Sequence, residues 1–520
     1  MQCFVYKLLK VKVISISKLL QINPQDNVAV ALTPLTQGTV LKIAGFDLTV
    51  KEAIPQGHKV ALCAIASGQP VIKYGYAIGR ATQNIEPGQW VHTHNLVSGL
   101  HGKLNYIYQP TDRSSLKAAN VDNRPVPVFQ GYRRADGQVG IRNEIWILNT
   151  VGCINKQSER LAMLAQKKFA AAIAARQIDG IFAFSHPYGC SQLGADLTNT
   201  QKFLAGMVKH PNAAGVLVIG LGCENNQMAD FQKIVADYDQ KRVKFLVIQE
   251  VADEIQTGLE LIEELIAYAR TFQAEPIPVS ELKIGLKCGG SDGLSGITAN
   301  PLVGRISDLL ISYGGTSILS EVPEMFGAET ILMNRAENEA VFNQIVALIN
   351  NFKDYFVKNG QEVYENPSPG NKEGGITTLE EKSLGCIQKG GTTAVTDVLK
   401  YGERVKVRGL NLLQAPGNDI VSTSAMTAAG AHLILFTTGR GNPMGAPVPT
   451  LKIATNSQLA SKKGHWIDFD AGRLLDGVAM TELTEELFNY ILAIASKQVW
   501  TKNEVNGYRD IAIFKNGVTL

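Results

Sequence analysis

Gly215-Val-Leu-Val-Ile-Gly-Leu-Gly-Cys223-Glu-Asn-Asn-Gln227 sets an unbroken apolar run directly against a glycine-containing polar loop. A run that is apolar at every residue suits a strand covered on both faces, as in a parallel sheet, rather than a half-exposed strand with alternating character. Four other stretches end the same way: Ile147-Leu-Asn-Thr-Val-Gly-Cys153, Phe184-Ser-His-Pro-Tyr-Gly-Cys190, Leu286-Lys-Cys288-Gly-Gly-Ser-Asp-Gly293 and Phe436-Thr-Thr-Gly-Arg-Gly-Asn-Pro443. Amphipathic helical patterns at 157–175, 200–209, 252–271, 336–358 and 482–496 are interleaved with such runs. The body therefore reads as α/β with a mainly parallel sheet. Ligands bind at the carboxyl ends of such strands, where glycine lets backbone approach closely. The five loops are expected to converge on one cleft.

Upstream the pattern differs. Short strand signals at 27–32, 39–43, 46–50, 59–64, 71–74 and 89–92, separated by turns, indicate a small all-β unit. From 106 to 130 the chain is polar and aperiodic, with Pro110, Pro125 and Pro127, which suits a linker. A weaker break with Pro276 and Pro278 divides the α/β part into two lobes. The expected organisation is a β domain over 1–105, a linker over 106–130, a first α/β lobe over 131–275 and a second over 276–520. No repeat of solenoid period is evident.

With 520 residues, 45% of them hydrophobic and 19% charged, the chain can bury several large cores. Fifty basic against 47 acidic side chains leave +3, with no basic run to track a phosphate backbone, so no nucleic acid partner is expected. No apolar stretch approaches the ~20 residues of a spanning helix, so no membrane is expected either. Lys7, Lys10, Lys12 and Lys18 interrupt any export-signal core, and seven cysteines, an odd number, fit a reducing compartment. The expected location is cytoplasmic, and a homo-oligomer is left open.

Cys153, Cys190, Cys223 and Cys386 each follow a glycine and Cys288 precedes two, so the thiols sit in turn contexts. No C-x-x-C occurs among the loop cysteines, which disfavours a zinc ribbon; iron or an iron–sulfur cluster held from separate loops stays open. Gly220-Leu-Gly222 lacks the third glycine of a dinucleotide fingerprint, with Asn225 in its place. His92-Thr-His94 follows Trp90-Val91, and strand alternation would point both imidazoles to one face, as a divalent metal needs, unless they are an exposed pair at a strand end. His58, Lys59 and Lys73 bring an imidazole and two ammonium groups to the same domain. The polar stretch 365–386, rich in carboxylates, amides and lysines, reads as a functional loop.

Taken together, the sequence resembles the altronate/galactarate dehydratase family. The resemblance rests on Gly57-His-Lys, Ile72-Lys-Tyr-Gly, Val91-His-Thr-His-Asn95, Ser185-His-Pro-Tyr-Gly-Cys-Ser-Gln-Leu-Gly194, Gly220-Leu-Gly-Cys-Glu-Asn-Asn-Gln227, Cys288 to Pro301, Glu321-Val-Pro-Glu-Met-Phe-Gly327, Glu365-Asn-Pro-Ser-Pro-Gly-Asn-Lys372 and His465-Trp-Ile-Asp-Phe-Asp470. It implies an N-terminal SAF-type (β-clip) domain, dehydration of D-altronate to 2-dehydro-3-deoxy-D-gluconate, and activation by iron(II) or manganese(II). Related sulfolactate sulfo-lyases share the architecture as two chains. Galactarate dehydration, sulfolactate cleavage and mere sugar-acid binding are the competing readings.

Removing a proton beside a carboxylate calls for a cation on the carboxylate and hydroxyl oxygens, together with a base and an acid. On residue chemistry and motif position, the expected metal ligands are His92, His94 and Cys223. His186, Cys190 and Glu224 are expected to be catalytic. His58, Lys59, Lys73, Cys288, Asp292 and Arg440 are expected to bind the sugar-acid substrate.

Overall fold

Short strands and glycine turns build the N-terminal unit in the computed structural model, which describes residues 18–43, 45–100, 102–112 and 125–517. The expectations for the first 17 residues, and for 113–124 of the linker, lie outside the described residues. A four-stranded antiparallel sheet orders Leu19–Leu20, Val28–Ala31, Lys59–Ala61 and Trp90–Val91. A hairpin of Val40–Ile43 with Phe46–Thr49 and a three-stranded sheet of Pro70–Lys73, Tyr76–Ala81 and Leu96–Val97 complete it. The layout repeats after about thirty residues: Gly68 turns as Gly38 does, both at φ 80°, and Ile65 bridges Ile85 as Leu35 bridges Ile54. Val30-Ala31-Leu32 likewise returns as Val60-Ala61-Leu62, a match too short to stand out as a repeat in the sequence.

Val128–Arg133 pairs antiparallel with Val139–Gly140 and with Ala274–Pro278. The end of the expected linker and the expected inter-lobe break are thus two strands lying side by side. Pro276 and Pro278 are tolerated because Ala274–Pro278 is an edge strand that needs no further donors.

Beyond this ribbon the fold is α/β with parallel sheets, as its apolar runs require. The first lobe orders Gly180–Phe184, Glu144–Asn149, Ala213–Gly220 and Val243–Val247, all parallel. The chain leaves Asn149 to one side and returns on the other, so a topological switch falls between Glu144–Asn149 and Ala213–Gly220. The second lobe is a seven-stranded parallel sheet ordered Val395–Leu399, Gly409–Leu413, Thr316–Leu319, Lys283–Cys288, Leu433–Thr438, Thr450–Ala454 and Phe469–Asp470. Its switch lies between Lys283–Cys288 and Leu433–Thr438. The lobes share a core in which Trp146, Phe184 and Phe203 meet Met426, Ile434 and Phe436. Among the described residues no helix is long and apolar enough to cross a membrane.

The polar stretch 365–386 is not a loop. It forms helices Pro369–Glu373 and Leu379–Cys386, the second capped by Thr378 and buried along its length. Its charged residues are interior ones, which is why they lack amphipathic spacing.

Glycines set how closely the β domain seats on the second lobe. A Cβ on Gly293 would lie 1.9 Å from the Gly57 carbonyl oxygen, and one on Gly375 would lie 2.5 Å from the same atom. Backbone atoms on both sides leave nothing to rotate away. Gly293→Ala is expected to lower stability by about 1–3 kcal/mol, the usual cost of overpacking, and to speed limited proteolysis between the β domain and the first lobe. Unchanged thermal unfolding and cleavage rates would contradict the close seating.

Candidate active site at the junction of the β domain and the second lobe

Lys59 and Lys73 leave strands of two different sheets of the β domain and meet Glu381, from the buried helix of the second lobe. Lys59 Nζ donates to Glu381 Oε2 at 2.8 Å, to Thr377 Oγ1 at 2.8 Å and to the Gly375 carbonyl at 2.9 Å. Lys73 Nζ donates to Glu381 Oε1 at 2.7 Å. All three groups are shut off from solvent. Burial opposes ionisation of Glu381, but the two ammonium groups outweigh it and hold the carboxyl down at about 2. Burial pushes Lys59 down to about 8, whereas Lys73 is raised because Glu381 overcomes its burial.

A second buried network adjoins it. Cys288 ends the central strand of the seven-stranded sheet, and Cys386 ends the helix carrying Glu381. Their sulfurs lie 3.2 Å apart as free thiols, and Cys386 Sγ is 2.9 Å from Glu324 Oε2, which is 3.5 Å from Cys288 Sγ. Among the described residues these three are the group whose ligand atoms all lie within 4.8 Å of one another. Glu324 Oε1 also pairs with Lys382 at 3.0 Å, and Glu321 accepts from Lys287 and, at 2.7 Å, from Lys389. Burial disfavours the Glu324 carboxylate, yet Lys382, Lys287 and Lys389 bring it down to about 2. Lys287 further contacts Asp419 at 3.0 Å. Five lysines (59, 73, 287, 382 and 389) therefore face four carboxylates (321, 324, 381 and 419), and the Asp292 carboxyl on the crevice wall makes a fifth. Lys73, Lys382, Glu381 and Cys386 line a narrow crevice whose far wall is the Ser291–Gly296 loop. Buried ammonium groups beside a crevice suit an anionic ligand.

Most of the other residues singled out from the sequence near this junction support it rather than face it. The strand carrying Trp90 ends at Val91, and His92 to Asn95 form a turn closed by the Asn95 N–H on the His92 carbonyl. Strand alternation therefore does not apply: His92 is buried with Nδ1 2.9 Å from Thr377 Oγ1, whereas His94 is exposed. The expected shared face for a two-histidine metal pair is absent. Burial pushes His92 down to about 4. His58 accepts from Trp90 Nε1 at Nδ1 and contacts the Glu373 carbonyl through Nε2, so both ring nitrogens are engaged. Asp292 is half-buried and saturated by Thr455, Ser295, Asn456 and the Leu294 N–H. It staples the glycine loop together, and burial raises its carboxyl. Arg440 is half-exposed at the rim, paired with Glu373 at 2.7 Å.

The five glycine loops gather in two groups, not on one cleft. Those after Lys283–Cys288 and Leu433–Thr438 join through Gly439 and Arg440 N–H on the Gly290 carbonyl. Those carrying Cys153, Cys190 and Cys223 join each other beyond the first sheet, by Gly152 N–H to the Tyr188 carbonyl and Asn226 N–H to the Gly189 carbonyl. In that second group His186, expected to act as base or acid, is buried with Nε2 on the Asn149 carbonyl at 2.8 Å and Nδ1 accepting from Tyr188 N–H. No ring nitrogen is left for a substrate. Glu224 is likewise spent, accepting from Thr150 Oγ1 and from the Leu221 and Gly222 N–H groups. Cys190 and Cys223 are exposed.

The junction joins two units that comparison with known proteins also separates. Residues 17–99 match the altronate/galactarate dehydratase SAF domain, 131–270 the D-galactarate dehydratase/altronate hydrolase second domain, and 279–519 the D-galactarate/altronate dehydratase C-terminal domain. The chain belongs to the altronate/galactarate dehydratase family. It is 54% identical to altronate dehydratase of Escherichia coli (strain K12) and 51% identical to altronate dehydratase of Bacillus subtilis (strain 168). Each match covers 96% of this chain and 99% of the relative. Galactarate dehydratase (L-threo-forming) of E. coli (strain K12) is 33% identical over 95% of this chain and 96% of its own length.

In this member of the altronate/galactarate dehydratase family the SAF domain supplies Lys59 and Lys73, and the C-terminal domain supplies Glu381 and the thiol–carboxylate set. Sequence reasoning picked out Lys59, Lys73 and Cys288 but missed Glu321, Glu324, Lys287, Lys382 and Lys389. The available signal was charge in apolar company: Leu286-Lys287-Cys288 inside a strand, and Glu321-Val-Pro-Glu324 flanked by Leu319 and Met325. Lys, Glu and Asp are almost never fully buried unless paired.

Proposed function

We propose that the chain dehydrates D-altronate to 2-dehydro-3-deoxy-D-gluconate at this junction. The C2–H and C3–O bonds break, a C2=C3 enol forms as water leaves, and the enol tautomerises to the 2-keto acid. The observation that carries the reading is the pair of buried lysines, Lys73 and Lys382, lining a crevice beside a thiol–carboxylate set. The higher identity to altronate dehydratases than to galactarate dehydratase supports the choice of acid.

Lys73 and Lys382, lining the crevice, hold the substrate carboxylate, and Glu381 fixes where the Lys73 ammonium sits. Cys288, Glu324 and Cys386 fit a divalent ion. Two sulfurs and one oxygen favour iron(II) over manganese(II), which prefers oxygen ligands. Two thiolates formed on binding would offset the ion's charge among the surrounding lysines. When bound, the ion polarises carboxylate and hydroxyl oxygens and so acidifies the C2 proton. The crevice is smaller than a six-carbon acid, so binding requires the Ser291–Gly296 side and the Leu379–Cys386 helix to part. Free thiols at 3.2 Å support a reducing location, the cytoplasm.

The reduced protein supplied with iron(II) is expected to convert D-altronate to a 2-keto-3-deoxy acid, read as its semicarbazone. Lys73→Met is expected to cost roughly 10- to 100-fold in kcat/KM, matching the 1.5–3 kcal/mol of a charged hydrogen bond. Turnover of galactarate or sulfolactate in place of altronate would overturn the substrate assignment.

A further inference from the structure

The first lobe carries a group of thiols that the proposed dehydration site does not use. Cys153, Cys190 and Cys223 follow three adjacent strands of one parallel sheet at its topological switch point. The Cys153 thiol lies within electrostatic reach of those of Cys190 and Cys223, and all three residues are exposed.

The loops are built to hold these sulfurs in place. Gly152 N–H bonds the Tyr188 carbonyl at 2.7 Å, Ser191 N–H bonds Asn225 Oδ1 at 2.8 Å, and Asn226 Nδ2 bonds the Thr150 carbonyl at 3.1 Å. A Cβ on Gly189 would stand 2.0 Å from the Thr150 carbonyl oxygen, so the Cys190 loop lies directly on the Cys153 loop. Ser191, a non-glycine residue, sits in the left-handed region at φ 55°, a strained conformation of the kind that collects at functional sites. The buried polar residues His186, Glu224 and Asn226 are consumed in fixing these loops. Three exposed thiols on an over-determined scaffold are unlike cysteines that fill a core.

We propose that Cys153, Cys190 and Cys223 are the thiolate ligands of a [4Fe–4S] cluster whose fourth iron is left open toward solvent. Three soft donors select thiophilic metal chemistry. Among the described residues Cys288, Glu324 and Cys386 have ligand atoms all within 4.8 Å of one another and this trio does not, so the thiols are spread more widely than the ligands of a single tetrahedral ion. A cluster separates its thiolates by its own width and accepts three of them.

The test uses the full chain, purified without oxygen and reconstituted with ferrous iron and sulfide. The native protein is expected to retain about four iron and four acid-labile sulfide per chain, with visible sulfide-to-iron absorption. The Cys153→Ser, Cys190→Ser, Cys223→Ser triple variant is expected to lose the sulfide and the absorption. Cys63→Ser, which removes an exposed thiol of the β domain, is expected to keep both. Cys190→Ser alone, on an exposed side chain and checked for unchanged circular dichroism, is expected to lower sulfide retention or alter the electron paramagnetic resonance of the reduced cluster. Failure of the native chain to retain sulfide, zinc or iron retained without sulfide, or a triple variant that keeps the cluster would each overturn the proposal. Sulfide separates this site from iron at Cys288, Glu324 and Cys386, so the result is independent of the proposed dehydration.

Discussion

Glu381→Gln is expected to lower stability by about 3–5 kcal/mol, because removing one partner of a buried ion pair leaves uncompensated charge behind. Here two ammonium groups, Lys59 and Lys73, lose their common carboxylate, with no solvent to take its place. At roughly 2–4 °C per kcal/mol for units of 150–250 residues, the unfolding transition involving the β domain and second lobe falls by about 10 °C. The transition of the first lobe should move less. The pH dependence follows from the same pair. Glu381 is held at about 2 in the fold against an ordinary 4.5, so its contribution is complete above the unfolded value and lost as pH falls through about 2. A shift of that size corresponds to about 3 kcal/mol. Glu381→Gln should therefore flatten the acid limb of a stability–pH curve. A variant that melts within a degree of the native protein, with its acid limb intact, would show that Glu381 does not hold the two domains together.

Glu324→Gln is expected to abolish iron-dependent turnover and to weaken iron binding at the junction by at least about 100-fold, beyond the range of losses that follow changes to groups merely hydrogen-bonded to a ligand. The glutamine keeps the shape and can still meet Lys382, but it removes the charge that two neighbouring thiols and a dication require. Iron content after gel filtration, set beside turnover across added iron(II), reads the effect. Partial recovery at high iron(II) identifies a lost ligand, whereas a merely unfolded variant would not recover. Cys386→Ser tests the donor set from the other side, since exchanging sulfur for oxygen should move the activation preference from iron(II) toward manganese(II). Iron affinity and metal preference unchanged in both variants would remove the ion from this set.

The division of labour between chain and fold is clearest in the strands. Gly180–Phe184 and Glu144–Asn149 announce themselves as apolar runs because both faces of the first sheet are covered. Val395–Leu399 and Thr450–Ala454 do not, since each mixes threonine, aspartate or lysine into five residues whose burial depends on neighbours arriving from far along the chain. The candidate site divides in the same way. Lys59 and Lys73 were legible as cations in a small β domain, but a lone lysine in a sequence reads first as a solvated one. Their partner lies more than 300 residues away.

From the sequence alone came the parallel α/β body, the β module ahead of it, the glycine loops at strand ends and the family those motifs mark. All of these are encoded in local spacing, where period and turn chemistry act within a few residues. Only the tertiary structure decided which of the marked residues face a ligand. It turned His186, Glu224 and Asp292 inward as loop anchors, separated His92 from His94 by a turn, and split the cysteines into a buried pair beside Glu324 and an exposed trio. Those outcomes depend on which carboxylates and carbonyls reach each group across long stretches of chain, and desolvation gives each buried charge a partner chosen by packing rather than by sequence proximity.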